Sequence, residues 1–107
     1  MTYDTVLTAL ADPTRRSILE SLRGAPMSVR EIADQQPVSR PAVSQHLRVL
    51  QEAGLVTAQP HGARRVYSVE SRGIAELRKY LDGFWTDVLD GYSAEIHRRL
   101  TDKPKRR

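Results

Sequence analysis

Between Ser71 and Leu100 the apolar residues fall at Ile74, Leu77, Leu81, Phe84, Trp85, Val88, Tyr92, Ile96 and Leu100. The steps of three and four never lapse, which is the period of one helix face. Some thirty residues of helix reach ~45 Å. A chain of 107 residues builds one core and no second one, so it cannot cover both ends of such a helix. The stripe of Leu81, Phe84, Trp85, Val88 and Tyr92 is therefore expected to meet a second chain. The plainer alternative is that it packs on the first helix of the same chain. Gly83 and Gly91 each cost roughly 1 kcal/mol relative to Ala inside a helix, so the stretch reads as one long helix or as two in series with a bend or break at a glycine.

The chain upstream is cut into short elements by its own capping residues. Tyr3, Val6, Leu7 and Leu10 have the spacing of a short amphipathic helix. Asp12-Pro13 is an N-cap followed by a proline at the first helical position, so a second helix starts there. It carries Ile18, Leu19 and Leu22 and stops at Gly24-Ala25-Pro26. Ser28 and Glu31 form a capping box for a third, short helix. Its Ile32 and Ala33 are expected to face inward. Ser39 caps a fourth helix with Pro41 in its first turn, and Gly54 is a candidate left-handed C-cap. Two β-prone runs, 55–59 and 64–69, flank Pro60-His61-Gly62-Ala63 and read as a hairpin.

The fourth helix is sharply two-faced. With Arg40 at zero and ~100° per residue, Val43, Leu47 and Leu50 fall at ~300°, ~340° and ~280° and form the buried stripe. Arg48, Pro41, Glu52 and Gln45 lie opposite, at ~80°, ~100°, ~120° and ~140°, with Ser44 at ~40° and Ala42 at ~200° on the flanks. His46, at ~240°, is expected to pack partly against the body.

Charge follows the same map. Residues 39–69 hold four arginines (Arg40, Arg48, Arg64, Arg65) against Glu52 alone, whereas 1–38 and 71–102 are each slightly acidic. Lys103, Lys105, Arg106 and Arg107 make a second basic segment, expected to be a disordered tail 103–107 following a domain 1–102. A basic block inside a folded domain suggests an anionic partner. Cysteine is absent, which excludes disulfides, thiolate metal sites and cysteine chemistry. The longest apolar run is three residues, far short of the ~20 that span a bilayer. No secretory signal is legible at the start, and a cytoplasmic protein with no membrane contact is expected. The three histidines, His46, His61 and His97, form no triad, and there is no glycine-rich phosphate loop or catalytic carboxylate pair. An enzyme is not expected, and no cofactor is.

The fold expected is mainly α with a small β-hairpin. The third and fourth helices make a helix-turn-helix over about 28–53, and the hairpin makes a wing. Such a pair presents its second helix to the major groove of duplex DNA. Small and polar side chains are needed where that helix meets the bases, and Ser39, Ala42, Ser44 and Gln45 supply them. Gln45 suits adenine, Arg40 or Arg48 suits guanine, and Ala42 suits the thymine methyl. Arg64 and Arg65 would reach the backbone or the adjacent minor groove. Strand alternation turns them to opposite faces, so one is expected to insert while the other meets phosphate or Glu70.

Leu10-Ala11-Asp12-Pro13-Thr14-Arg15-Arg16-Ser17-Ile18-Leu19 resembles the opening signature of ArsR-type winged-helix repressors. Residues 38–50 resemble their recognition helix, and 52–56 with 62–69 resemble their wing. The resemblance implies DNA contacts at Ser39, Arg40, Ala42, Ser44, Gln45, Arg48, Arg64 and Arg65. It implies a homodimer pairing its first and last helices, with Tyr3, Val6, Leu7 and Leu10 joining the later stripe. It also implies a palindromic operator and repression of the protein's own operon, with an inducer the sequence does not name. Many such repressors sense metal through a Cys-x-Cys pair near the third helix. Here Val29–Asp34 holds no thiolate, so no metal site is expected. A metal-responsive alternative would use Asp87, Asp90, Glu95 and His97 of the last helix. A protein-interaction module that has lost DNA binding is a further alternative. Its 39–48 face should be apolar or acidic, and here that face is polar and basic.

Overall fold

The computed structural model describes residues 2–101. In chain order these form α1 (Tyr3–Leu10), α2 (Pro13–Ser21), β1 (Met27–Ser28), α3 (Val29–Asp34), α4 (Arg40–Glu52), β2 (Val56–His61), β3 (Arg64–Val69) and α5 (Arg72–Thr101). Each early helix begins where its capping side chain dictates. Asp12 Oδ1 accepts from the backbone N–H of Thr14 at 2.8 Å and of Arg15 at 3.1 Å, with Pro13 at the first helical position. Ser28 and Glu31 close a reciprocal capping box: the Glu31 N–H donates to Ser28 Oγ at 3.3 Å, and the Ser28 N–H donates to Glu31 Oε1 at 2.8 Å. Ser39 Oγ accepts from the Ala42 N–H at 3.3 Å to start α4. These bonds satisfy amide donors that a helix leaves orphaned at its N-terminus.

Helix α4 ends in a Schellman motif. Gly54 sits at φ 70°. Its N–H donates to Gln51 O at 3.0 Å, and the Leu55 N–H donates to Leu50 O at 2.9 Å. The chain turns there into a three-stranded antiparallel sheet of order β1-β3-β2. Strands β2 and β3 pair from Val56↔Val69 to His61↔Arg64. Gly62, at φ 66°, takes the first place of the two-residue turn, where a II′ hairpin needs positive φ. Pro60 lies within β2 and is tolerated because β2 is an edge strand.

The sequence predicts only the hairpin. The third strand, β1, pairs Met27 with Tyr67 and Ser28 with Val66, and two residues are too short a run to show period-two alternation.

The core gathers Val6, Ile18, Leu22, Ile32, Val43, Leu47, Leu50, Leu55, Val56 and Tyr67, with Ala9 and Ala53 filling the close approaches. Helix α1 is split by this core. Val6 and Ala9 are fully buried, Leu10 is half-buried against the core, and Tyr3 and Leu7 are exposed. Val6 therefore corrects the expectation that it belongs to a surface shared with a second chain: its side chain is spent inside its own protomer.

By internal contacts the chain divides into one unit ending at Leu77 and another beginning at Arg78. In the first unit, the start of α5 is tied to the end of α4. The Gly73 N–H donates to Gly54 O at 2.8 Å, and a Cβ on Gly73 would collide with the Ala53 carbonyl oxygen. The second unit carries the remainder of α5. That helix runs unbroken through Gly83 and Gly91, so of one long helix and two in series it is the first. Tyr80 stacks on Phe84, and Phe84 meets Trp85 edge-on at 5.4 Å between ring centres. Trp85 is 53% and Tyr92 65% exposed. Among the described residues no helix is long and apolar enough to cross a membrane. The basic segment 103–107 lies outside the described residues.

Candidate nucleic-acid interface

The two faces of α4 separate as its periodicity requires. Val43, Leu47 and Leu50 are each 0% exposed. Arg40, Ser44, Gln45 and Arg48 are exposed, as is the cap Ser39, and Ala42 is half-buried on the flank. The core grips one side of the helix and leaves the polar side open. Arg64 and Arg65, at the start of β3 beside the hairpin turn, are both exposed. Glu70, expected as a partner for one of them, instead ion-pairs with Arg72 at 2.9 Å.

The arginines sort into two groups. Arg15 donates to Ala9 O at 2.7 Å and Thr8 O at 3.1 Å. Arg16 donates to Leu10 O at 2.7 Å. Arg23 pairs with Glu20, Arg78 with Asp82, and Arg98 and Arg99 with Glu95. Arg72 is held by Glu70. The others are Arg30, Arg40, Arg48, Arg64 and Arg65, and none of them makes an ion pair or hydrogen bond among the described residues. Four of these five are site residues read from the sequence. The fifth, Arg30, lies on the short helix α3, outside the residues that the sequence singles out.

Glu31 and Asp12 are engaged, whereas Glu52, exposed on α4, makes no side-chain ion pair or hydrogen bond among the described residues. The Glu31 carboxyl is held below its ordinary range by the Ser28 backbone N–H first, then by the Ser28 hydroxyl and the charge of Arg64. It is the capping partner of α3 and stays ionised. Asp12 is likewise lowered, chiefly by the Arg15 N–H, with the Thr14 N–H and the charges of Arg15 and His46 adding to it.

His46 is half-buried, with Nδ1 3.4 Å from Arg15 Nη1. It packs against the body, as its angle on α4 predicts. Arg15 thus joins the last carbonyls of α1 to the recognition helix. The cue was present, since basic side chains commonly cap helix C-termini, but nothing local says which helix end they reach.

On α5, Glu95 is bound by Arg98 and Arg99 at 2.6–2.7 Å, and these bonds hold its carboxyl low. That carboxylate is committed to guanidinium groups. Among the described residues no three His, Cys, Asp or Glu side chains are grouped to hold a metal ion.

Residues 12–58 match the family model described as bacterial regulatory protein, arsR family. The chain is 56% identical over 88 residues to the HTH-type transcriptional regulator Rv2034 of Mycobacterium tuberculosis, covering 82% of each. It resembles the solved structure of an ArsR-like transcriptional regulator from Rhodococcus sp. RHA1 with a TM-score of 0.78 and 29% identity, over 96% of this chain and 94% of that one. It is also similar to the homodimeric winged helix-turn-helix DNA-binding domain of Mb0332 from Mycobacterium bovis, with a TM-score of 0.63 and 27% identity over 78% of each chain. Relatives in sequence and in fold are thus transcriptional regulators, and the chain belongs to the ArsR family of bacterial regulatory proteins.

Proposed function

We propose that two copies of this chain bind a palindromic operator in double-stranded DNA and repress transcription there, including that of the protein's own gene. Helix α4 enters the major groove, and the wing arginines meet the minor groove or the backbone. One observation carries the reading: every described arginine without an acidic or carbonyl partner lies on α3, α4 or the wing. Unpaired cations on one surface are what a polyanion needs. The exposed Gln45, Ser44 and Arg48 offer donors and acceptors to base edges. The second copy is brought in by the exposed apolar residues of the first and last helices, Tyr3 and Leu7 with Leu81, Phe84, Trp85, Val88 and Tyr92. A dimer places two recognition helices about 34 Å apart, one turn of the duplex. The protein acts in the cytoplasm, where its operator is.

A footprint on the DNA upstream of the protein's own gene tests this. The expected result is two protected half-sites, one turn apart and related by symmetry. Arg64→Ala and Arg65→Ala should weaken binding to all sequences and lower its salt dependence. Gln45→Ala should instead narrow the gap between cognate and scrambled duplex by about 1–3 kcal/mol. Equal affinity for both duplexes in the native protein would remove sequence-specific regulation.

A further inference from the structure

Arg30 on α3, Arg40 at the start of α4, and Arg64 and Arg65 on β3 line one open groove of about 300 Å³ with Ser28 and Val29. Three separate elements thus bring four arginines to the lining of one groove. None of the four makes an ion pair or hydrogen bond among the described residues. The polar groups beneath them are occupied. Ser28 Oγ and the Glu31 carboxylate bond to each other's backbone N–H groups in the capping box. Glu31 is therefore committed to capping α3, and it meets the charge of Arg64 without a direct ion pair. Four like charges gathered against so little counter-charge raise the free energy of the folded state. An anion lowers it again, and the planar fork of arginine fits phosphate oxygens two at a time. A small ligand is usually enclosed on most of its surface. An open groove suits a chain that passes through it.

We propose that this groove seats a backbone phosphate of the bound duplex in each half-site, and that Arg30 joins Arg40 and the wing arginines in holding it. The inference rests on the DNA-binding reading above. It adds a contact from α3 that ties the recognition helix and the wing to the same strand, fixing the register of α4 without reading a base.

The test uses the full-length protein and a duplex carrying its footprinted site, with single neutral methylphosphonate linkages walked across each half-site. One linkage per half-site should weaken the native protein about tenfold and leave Arg30→Ala unchanged, because the variant has already lost that contact. Arg30→Ala should also lower the slope of log affinity against log salt by about 0.9 for each half-site. The ratio of cognate to scrambled affinity should stay as in the native protein, and Arg30→Lys should recover part of the loss.

If Arg30→Ala binds as tightly as the native protein, or is weakened by the same linkages, the groove holds no phosphate and the inference falls alone. If the native protein binds neither duplex, the DNA reading falls and takes this one with it. Calorimetry with inorganic pyrophosphate and no DNA separates the other source of phosphate. Binding below millimolar that Arg30→Ala abolishes would assign the groove to a free phosphate ligand and overturn the backbone assignment.

Discussion

Helix α4 and the later part of α5 are both amphipathic, yet they are incomplete in opposite ways. On α4 the apolar residues Val43, Leu47 and Leu50 are wholly covered, while Arg40 and Arg48 face outward with no counter-charge among the described residues. On α5 the arginines of the later part are each answered, Arg78 by Asp82 and both Arg98 and Arg99 by Glu95. There it is the apolar residues that lack cover: of the thirteen large hydrophobics exposed among the described residues, ten lie on α5. The first region is short of counter-charge and the second of apolar cover. Under the proposed function a polyanion completes the first, and a second copy with the same stripe completes the second.

The sharpest way to break this contrast is to remove a covered residue. Leu47→Ala should cost about 2–5 kcal/mol, read as a lower denaturant midpoint with unchanged slope. The loss should be the same at any protein concentration, because Leu47 is buried within its own chain. Gly73→Ala comes next. The new methyl would meet the backbone carbonyl of Ala53, and backbone gives way less easily than a side chain. A loss of about 1–3 kcal/mol is expected, although the same change on an open helix position would stabilise by about 1 kcal/mol. A neutral or stabilising Gly73→Ala would mean that α5 does not start against the end of α4. Phe84→Ala and Trp85→Ala test the other region. Each should weaken self-association at least tenfold, about 1.4 kcal/mol, in sedimentation equilibrium. Their melting temperatures should fall most in dilute solution, since stability gained from a partner depends on concentration. Concentration-independent melting in the native protein would leave the α5 stripe without its proposed cover.

Legibility in the sequence follows the same divide. The α4 face was readable because Val43, Leu47 and Leu50 fit a single period and Ser39, Pro41 and Gly54 mark its ends. Helix α1 shows where periodicity stops. Its apolar arc is ~160° wide, and the sequence does not say that Val6 and Ala9 serve the core while Tyr3 and Leu7 stay outside. Arg30 and Arg15 are legible only in three dimensions. Each takes its meaning from elements distant in the chain: the wing and α4 for Arg30, and α1 and His46 for Arg15. Strand β1 exists because β3 has a free edge for Met27 and Ser28 to join, a fact about the sheet that two residues cannot encode.

The smallest effect separates the two kinds of arginine. Arg99 is held by Glu95 at 2.7 Å, with the acid four residues N-terminal, the favourable order for a helix pair. Arg99→Gln should lower the stability of the DNA-free protein slightly, since Glu95 keeps Arg98 as a partner. Arg65 shares its groove with three other arginines, so Arg65→Gln removes repulsion. It should leave the DNA-free protein unchanged or up to about 0.5 kcal/mol more stable, and weaker on DNA. Both differences should shrink in high salt, because both are interactions between solvated charges. The opposite signs are what the comparison requires. A residue kept for a partner costs the free protein something, and one kept for the fold does not. If thermal melts at low salt give Arg65→Gln and Arg99→Gln the same sign, the groove cations are ordinary surface charges and the division between the two regions loses its electrostatic half.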